Sequence, residues 1–213
     1  MKKSTKLKID ELIIRYPQLK SVYSPICESV DILIDCYMND HKLMICGNGG
    51  SAADSLHIVG ELMKAFTCPR PISQFCAEKI KRNALHANYL IPHLQMALPA
   101  ISLASEPGFI TAYSNDVAAD MVFAQQVFGQ GQEGDVLLAI STSGNSKNVI
   151  YAAEIAQAFD IKVIALTGMS GGKLRNTADV LINVPESETY KIQELHLPVY
   201  HAICLALESE FYA

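Results

Sequence analysis

Two kinds of segment alternate along the chain. Short apolar or β-branched runs, "KLMICG", "PAISLAS", "DVLLAISTS", "KVIALTG" and "DVLINVP", are separated by stretches whose apolar residues recur at helical spacing. This alternation predicts a parallel sheet covered by helices on both faces. The segments "SAADSLHIVGELMKAF", "NDVAADMVFAQQVFGQ" and "SKNVIYAAEIAQAFD" each open on a capping-type residue and are expected as helices. Residues 1–40 are expected to be helical too, through "IDELIIRYPQLKSV" and "CESVDILIDCYMND", with Pro17 and Pro25 breaking or bending the pattern. "YKIQELHLPVYHAICLALESEF" closes the chain as a long helix with a kink expected at Pro198. Residues 71–98 are weakly periodic and read as a helical excursion over the sheet. With no repeat, linker or low-complexity segment, one domain over 1–213 is expected.

Composition narrows the class. A chain of 213 residues, half of them hydrophobic and 18% charged, is long enough to bury the core of one α/β domain. The net charge of -5 is mild and the 17 Lys and Arg are scattered, which gives no electrostatic footprint for nucleic acid. The N-terminal "MKKSTKLK" is too short, and too polar downstream, for a secretory signal. No apolar run approaches the roughly 18 residues that span a bilayer. The 6 cysteines form no CxxC pair and read as reduced thiols of a cytoplasmic protein. Cys46 ends an apolar run and is expected as a small buried hydrophobe.

Candidate chemistry gathers in "GNGGSAADSLHIVGE", directly after the first apolar run. In an open parallel sheet, ligands bind at the carboxyl ends of the strands, where glycine turns bring backbone N–H groups and a helix N-terminus to an anion. Gly47, Gly49 and Gly50 supply such a turn, and Ser51 can cap the helix or offer a hydroxyl. The spacing is neither GxGxxG nor a Walker A. Taken alone, the motif is equally a plain tight turn. A second turn, "STSGNS", places Ser141, Thr142, Ser143 and Ser146 around Gly144, again where a strand meets a helix. Two hydroxyl- and amide-lined loops in one sheet suit a phosphate monoester. His57 and Glu61, four apart, share a helix face and can hold one metal or substrate, or be a surface pair. Gln193, Glu194, His196 and His201 add ligand-type groups on the last helix. His41, His86, His93 and His196 read as surface or packing residues, Asp54 as a first-turn acid favoured by the helix dipole, and Asp135 as a turn residue.

The motifs "GNGGSAADSLHIVGEL", "SND", "ISTSGNS", "LTGMSGGKL" and "IQELHLPVYH", in this order, resemble the sugar isomerase (SIS) domain, specifically its phosphoheptose isomerase branch, from residue 40 onward. The resemblance implies a three-layer αβα sandwich around a five-stranded parallel sheet, flavodoxin-like, with N-terminal helices that help build a homotetramer. It implies conversion of sedoheptulose 7-phosphate into D-glycero-D-manno-heptose 7-phosphate. It places zinc ligands at His57, Glu61, Gln193 and His201. Substrate contacts fall on Asn48, Gly49, Gly50, Ser51, Glu61, Asn115, Asp116, Ser141, Thr142, Ser143, Ser146 and Gln193.

Aldose–ketose isomerisation through an enediol needs a base and an acid, and Glu61 and His201 are expected in those roles. A related branch of replication-initiator-binding proteins shares the phosphate loops but lacks the acid at the Glu61 position and the histidine at the His201 position. Alternatives to the heptose activity are isomerisation of another phosphosugar and non-catalytic phosphosugar binding.

Two departures stand out: Ala65, with Lys64 beside it, occupies the place of a family arginine, and the segment 71–98 is long. That segment is read as a lid, as a source of cations such as Lys79, Lys81 or Arg82, or as an extension of an oligomer interface. Gln193 and His201, eight residues apart, differ by about 12 Å along a straight helix. Each site is therefore expected to take one of the two from a neighbouring chain.

Overall fold

The computed structural model describes all 213 residues. Helices α1 (Lys3–Arg15) and α2 (Tyr23–Met38) precede the sheet strands β1 (Leu43–Cys46), β2 (Ala100–Ser102), β3 (Val136–Ser141), β4 (Lys162–Thr167) and β5 (Val180–Asn183). Between and after them lie α3 (Gly50–Met63), α4 (Gln74–Asn83), α5 (Ala87–His93), α6 (Pro107–Tyr113), α7 (Val122–Gln130), α8 (Lys147–Ala158) and α9 (Thr189–Tyr212). The five strands are parallel in the order β2-β1-β3-β4-β5, with Leu43 in register with Ala100 on one side and Val136 on the other. Chain order therefore reverses between β1 and β3, the switch point at which such sheets bind ligands.

The strands are continuous apolar runs because both faces are covered. On one face Leu43, Ile45, Leu138 and Ile164 pack with residues of α1, α2, α3 and α9; on the other Met44, Cys46, Leu137 and Val163 pack with α7 and α8. This is the expected three-layer α/β sandwich. Cys46 is fully buried, and burial pushes its thiol up to about 12, so it is a packing residue. No helix is long and apolar enough to cross a membrane.

Three local expectations are corrected, and the long closing helix is found as one element with Pro198 inside it. Pro17 separates α1 from a short 3-10 turn, but Pro25 sits in the first turn of α2 instead of breaking it, where a missing N–H has no intrahelical partner to lose. Helix α9 continues through Pro198; the carbonyl that Pro198 cannot bond belongs to Glu194, which is exposed to water. The helix expected from Asn115 starts only at Val122, after a π turn over Ser114–Ala118 and a 3-10 turn whose preceding residue, Ala118, is extended at φ -161°. Gly49, not Ser51, caps α3, and Ser51 is buried inside its first turn.

The excursion over residues 71–98 carries α4 and α5, neither with a buried residue. Its base is tied to the end of α3: Met96 N–H donates to Arg70 O at 2.8 Å, Leu98 N–H to Leu62 O at 3.0 Å, and Ala65 N–H to Gln95 Oε1 at 2.7 Å. Beneath it Glu208 of α9 accepts from Phe66 N, Thr67 N, Thr67 Oγ1, Cys68 N and Arg70 Nε at 2.7–3.0 Å. The Arg70 and Glu208 side chains are 0% and 1% exposed, and Arg70 also donates to Leu62 O and Glu61 O. Burial pushes the Glu208 carboxyl up, but the donors of Thr67, Phe66 and Arg70 outweigh it and bring it from 4.5 down to about 2.

A carboxylate depressed on folding stabilises the fold above its unfolded value and loses that contribution as pH falls through the folded one. Acid titration is therefore expected to remove roughly 3 kcal/mol from this group between pH 4.5 and about 2. Glu208→Gln, which leaves Arg70 buried without its charge partner, is expected to lower unfolding free energy in urea by about 3–5 kcal/mol at neutral pH. A loss under about 1 kcal/mol would show that the pair anchors nothing.

Candidate active site

Two loops leave the sheet side by side at the switch point. After β1, the turn Gly47–Gly50 enters α3 through Gly49, whose φ of 55° and ψ of -118° are open to glycine alone. After β3, the loop 141–146 enters α8. Its shape is set by the later loop "GMSGGKL": Gly144, at φ 65°, approaches so closely that any side chain there would run into the Gly171 carbonyl. Leu174 N–H donates to Gly144 O at 3.0 Å, and Lys173 N–H to Asn145 Oδ1 at 3.1 Å. Ser141 Oγ and Ser146 Oγ are 3.0 Å apart. Across the switch point Asn48 and Asn148 exchange two amide hydrogen bonds of 2.9 Å. The result is a group of hydroxyls and backbone donors at the N-termini of α3 and α8, suited to an anion.

A second group lies two turns along α3. His57 Nε2 is 3.2 Å from Glu61 Oε1, the expected i,i+4 pair, and 3.4 Å from His201 Nε2 of α9. The other Glu61 oxygen accepts from Lys64 Nζ at 3.0 Å. Glu61 is only 13% exposed, whereas His57 is 42% exposed, so the group opens to solvent on the imidazole side. Burial, and then the neighbouring His57, hold the His201 imidazole below its usual pKa, which keeps it neutral near pH 7. Tyr200 packs edge-on against both rings and its hydroxyl bridges His57 Nδ1 and Asp54 Oδ1.

The donor set fits a borderline-soft divalent ion. Donors about 2.0–2.1 Å from a tetrahedral zinc stand about 3.3–3.4 Å apart, close to the 3.2 and 3.4 Å that separate His57 Nε2 from Glu61 Oε1 and His201 Nε2. Within one chain, however, no three His, Cys, Asp or Glu side chains are grouped so as to hold a metal ion, these three included. Gln193 lies elsewhere: its side-chain nitrogen is 2.5 Å from the position a Gly50 Cβ would occupy, at the N-terminus of α3. The ligands expected together thus divide within one chain, His201 with His57 and Gln193 with the glycine turn.

Of the remaining candidates, Asn48, Gly49, Gly50, Ser51, Ser141, Thr142, Ser143 and Ser146 line the two loops. Asn115 and Asp116 lie on the π turn, where they bond each other at 2.9 Å and neither loop. Lys79, Lys81 and Arg82 sit on the unburied α4, with Arg82 paired to Glu78. His196 is completely buried with no partner for either nitrogen, and burial lowers it to about 4, so it is a packing residue. Asp54 is not a first-turn acid but a partner of Tyr200. Sequence reasoning missed Tyr200, Asn148 and the Arg70–Glu208 pair. Only Tyr200 left a local sign, its place beside His201.

The fold is that of an SIS domain, whose family model matches residues 73–168. A phosphoheptose isomerase of Shewanella baltica is 40% identical over 182 residues, covering 84% of this chain and 80% of the relative. The solved structure of a phosphoheptose isomerase from Neisseria gonorrhoeae superposes with a TM-score of 0.73 at 36% identity, covering 94% of each chain. That of Francisella tularensis does so with a TM-score of 0.74 at 30% identity, covering 91% of this chain and 90% of the other. The chain belongs to the phosphoheptose isomerase family, a family of enzymes.

Proposed function

We propose that this chain is an aldose–ketose isomerase that converts sedoheptulose 7-phosphate into D-glycero-D-manno-heptose 7-phosphate. The observation that carries the reading is the meeting of Glu61, His57 and His201 at one point, in a chain whose relatives are named phosphoheptose isomerases. Distance supports it as well. The anion-binding group begins at Gly50 and the carboxylate group begins at His57, which are about 10 Å apart along α3. That is the scale of an extended sugar phosphate with its carbonyl end far from its phosphate.

In this reading the loop 141–146 and the start of α8 hold the phosphate. Asn48, Gly49, Gly50, Ser51, Asn115, Asp116, Thr142 and Gln193 line the sugar. Glu61 takes the proton from the carbon next to the carbonyl and returns it to the neighbouring carbon. His201, neutral, donates its N–H hydrogen to the carbonyl oxygen and takes back the hydrogen of the neighbouring hydroxyl as that carbon becomes the new carbonyl. Lys64, bonded to the second Glu61 oxygen, holds the carboxylate in place. His57, Glu61 and His201, with Gln193 as fourth ligand, would hold zinc, which when bound polarises the substrate oxygens. Free cysteines throughout are in keeping with a cytoplasmic enzyme.

Glu61→Gln is expected to fold, to bind sedoheptulose 7-phosphate, and to lose nearly all turnover when product is followed by NMR, because the amide keeps the shape without accepting a proton. Wild-type rate in this variant would return Glu61 to a surface acid and favour a phosphosugar-binding protein without catalysis.

The assembly belongs to the same proposal: a homotetramer whose sites each draw Gln193 from a neighbouring subunit. Its support is the division of Gln193 and His201 along α9. Glu61→Gln and Gln193→Ala chains, each inactive alone, are expected to regain activity when subunits exchange. A Glu61→Gln and His201→Ala pair is not, because those residues meet within one chain. Verified exchange with no recovery in the first mixture would exclude shared sites.

A further inference from the structure

Tyr200 is 2% exposed and its hydroxyl stands between two groups. It donates to Asp54 Oδ1 at 3.1 Å and lies 3.0 Å from His57 Nδ1. A phenol has one proton, and an ionised carboxylate can only accept. With that proton on Asp54, the phenol oxygen faces His57 as an acceptor, so Nδ1 carries the hydrogen of the ring. The other nitrogen of a neutral imidazole is then a bare lone pair. That nitrogen is Nε2, the atom that faces Glu61 Oε1 and His201 Nε2. A lone pair on His57 Nε2 and the Glu61 carboxylate thereby face one shared space, open to a cation or to an N–H of His201.

We propose that Asp54 and Tyr200 are positioning residues that set the tautomer of His57, so that its Nε2 offers a lone pair to the space shared with Glu61 and His201. The inference rests on the reading of that space as the zinc site of the isomerase. Both helices contribute to it. Asp54 stands on α3, one turn before His57, and Tyr200 stands on α9, next to His201. The Tyr200 ring also fixes the planes of the two imidazoles, at 5.5 Å and 76° to His57 and 5.0 Å and 86° to His201. Nothing else hydrogen-bonds His57 Nδ1, so the tautomer depends on this chain of two bonds. Outer partners that orient metal-binding histidines are typically worth 10–100-fold in metal affinity.

The test uses full-length, metal-free protein labelled with 15N-histidine, at about pH 8 where exposed imidazoles are neutral. Two-bond proton–nitrogen spectra read the His57 tautomer, and competition against a chromophoric chelator reads zinc affinity. Wild type is expected to carry hydrogen on Nδ1. Tyr200→Phe, which keeps the ring, is expected to erase that preference and weaken zinc about 10–100-fold. Asp54→Ala frees the phenol proton to turn onto Nδ1 and is expected to move the ring hydrogen to Nε2. It should weaken zinc at least as much, although Asp54 touches neither Glu61 nor His201.

A Tyr200 that only fills space would leave the tautomer unmoved in both variants. That result, or a wild-type His57 protonated on Nε2, overturns the proposal. If the tautomer shifts as described while zinc binds nowhere, the positioning role stands and the zinc reading fails.

Discussion

The carboxylate of Glu208 is the constraint on which the site depends. Sealed from water against Arg70, it gathers backbone donors from the segment that follows α3 and so binds the end of α3 to α9. An isolated buried charge is costly, and one placed against a guanidinium and several N–H groups is stable only in the arrangement that satisfies all of them. The two helices consequently run side by side in the same direction. Gln193 falls beside Gly50 and His201 beside His57, because seven residues on one helix and eight on the other span nearly the same rise, about 10 and 12 Å.

This parallel run divides the molecule's work along α3. Its N-terminus faces the switch point of the sheet, where the glycine turn and the hydroxyl loop meet through the Asn48–Asn148 pair. Its second and third turns carry His57 and Glu61 toward α9. In the proposed function, anion binding would use backbone N–H groups and helix ends, which need no titratable residue, and would leave the carboxylate and imidazoles free for proton chemistry. Interlocked glycines at 144, 171 and 172 make the anion end rigid. The single-chain packing that aligns the two ends is the ordinary hydrophobic core between α3, α9 and the sheet.

Much of this was legible in the sequence because the signals were local. Buried parallel strands are uninterrupted apolar runs, so all five could be read directly. The glycine turn, the hydroxyl loop and the His57–Glu61 spacing each lie within one helix turn or loop of their own chemistry. What could not be read was set by distance in the chain. Arg70 and Glu208 are 138 residues apart, Asn48 and Asn148 are 100 apart, and Tyr200 meets Asp54 across 146. Local rules also misled where tertiary context overrode them. Ser51 has a cap's chemistry but is packed inside the helix, and Ala118, a good helix former, is extended and delays α7. The candidate ligand residues could be named from the sequence, but their division along α9 was visible only as a mismatch in helix rise.

The central claim is that Glu61 moves a proton between neighbouring carbons of a phosphorylated heptose. Its most direct test is turnover of sedoheptulose 7-phosphate in D2O, with the heptose 7-phosphate product analysed by NMR and mass spectrometry. Glu61 retains some contact with solvent, at 13% exposure, so its abstracted proton can exchange before it is returned. Deuterium at carbon 2 of the aldose is the expected result, with none accumulating in the presence of Glu61→Gln protein. Product formed with no solvent deuterium at that carbon, or equal formation by Glu61→Gln, would contradict the account.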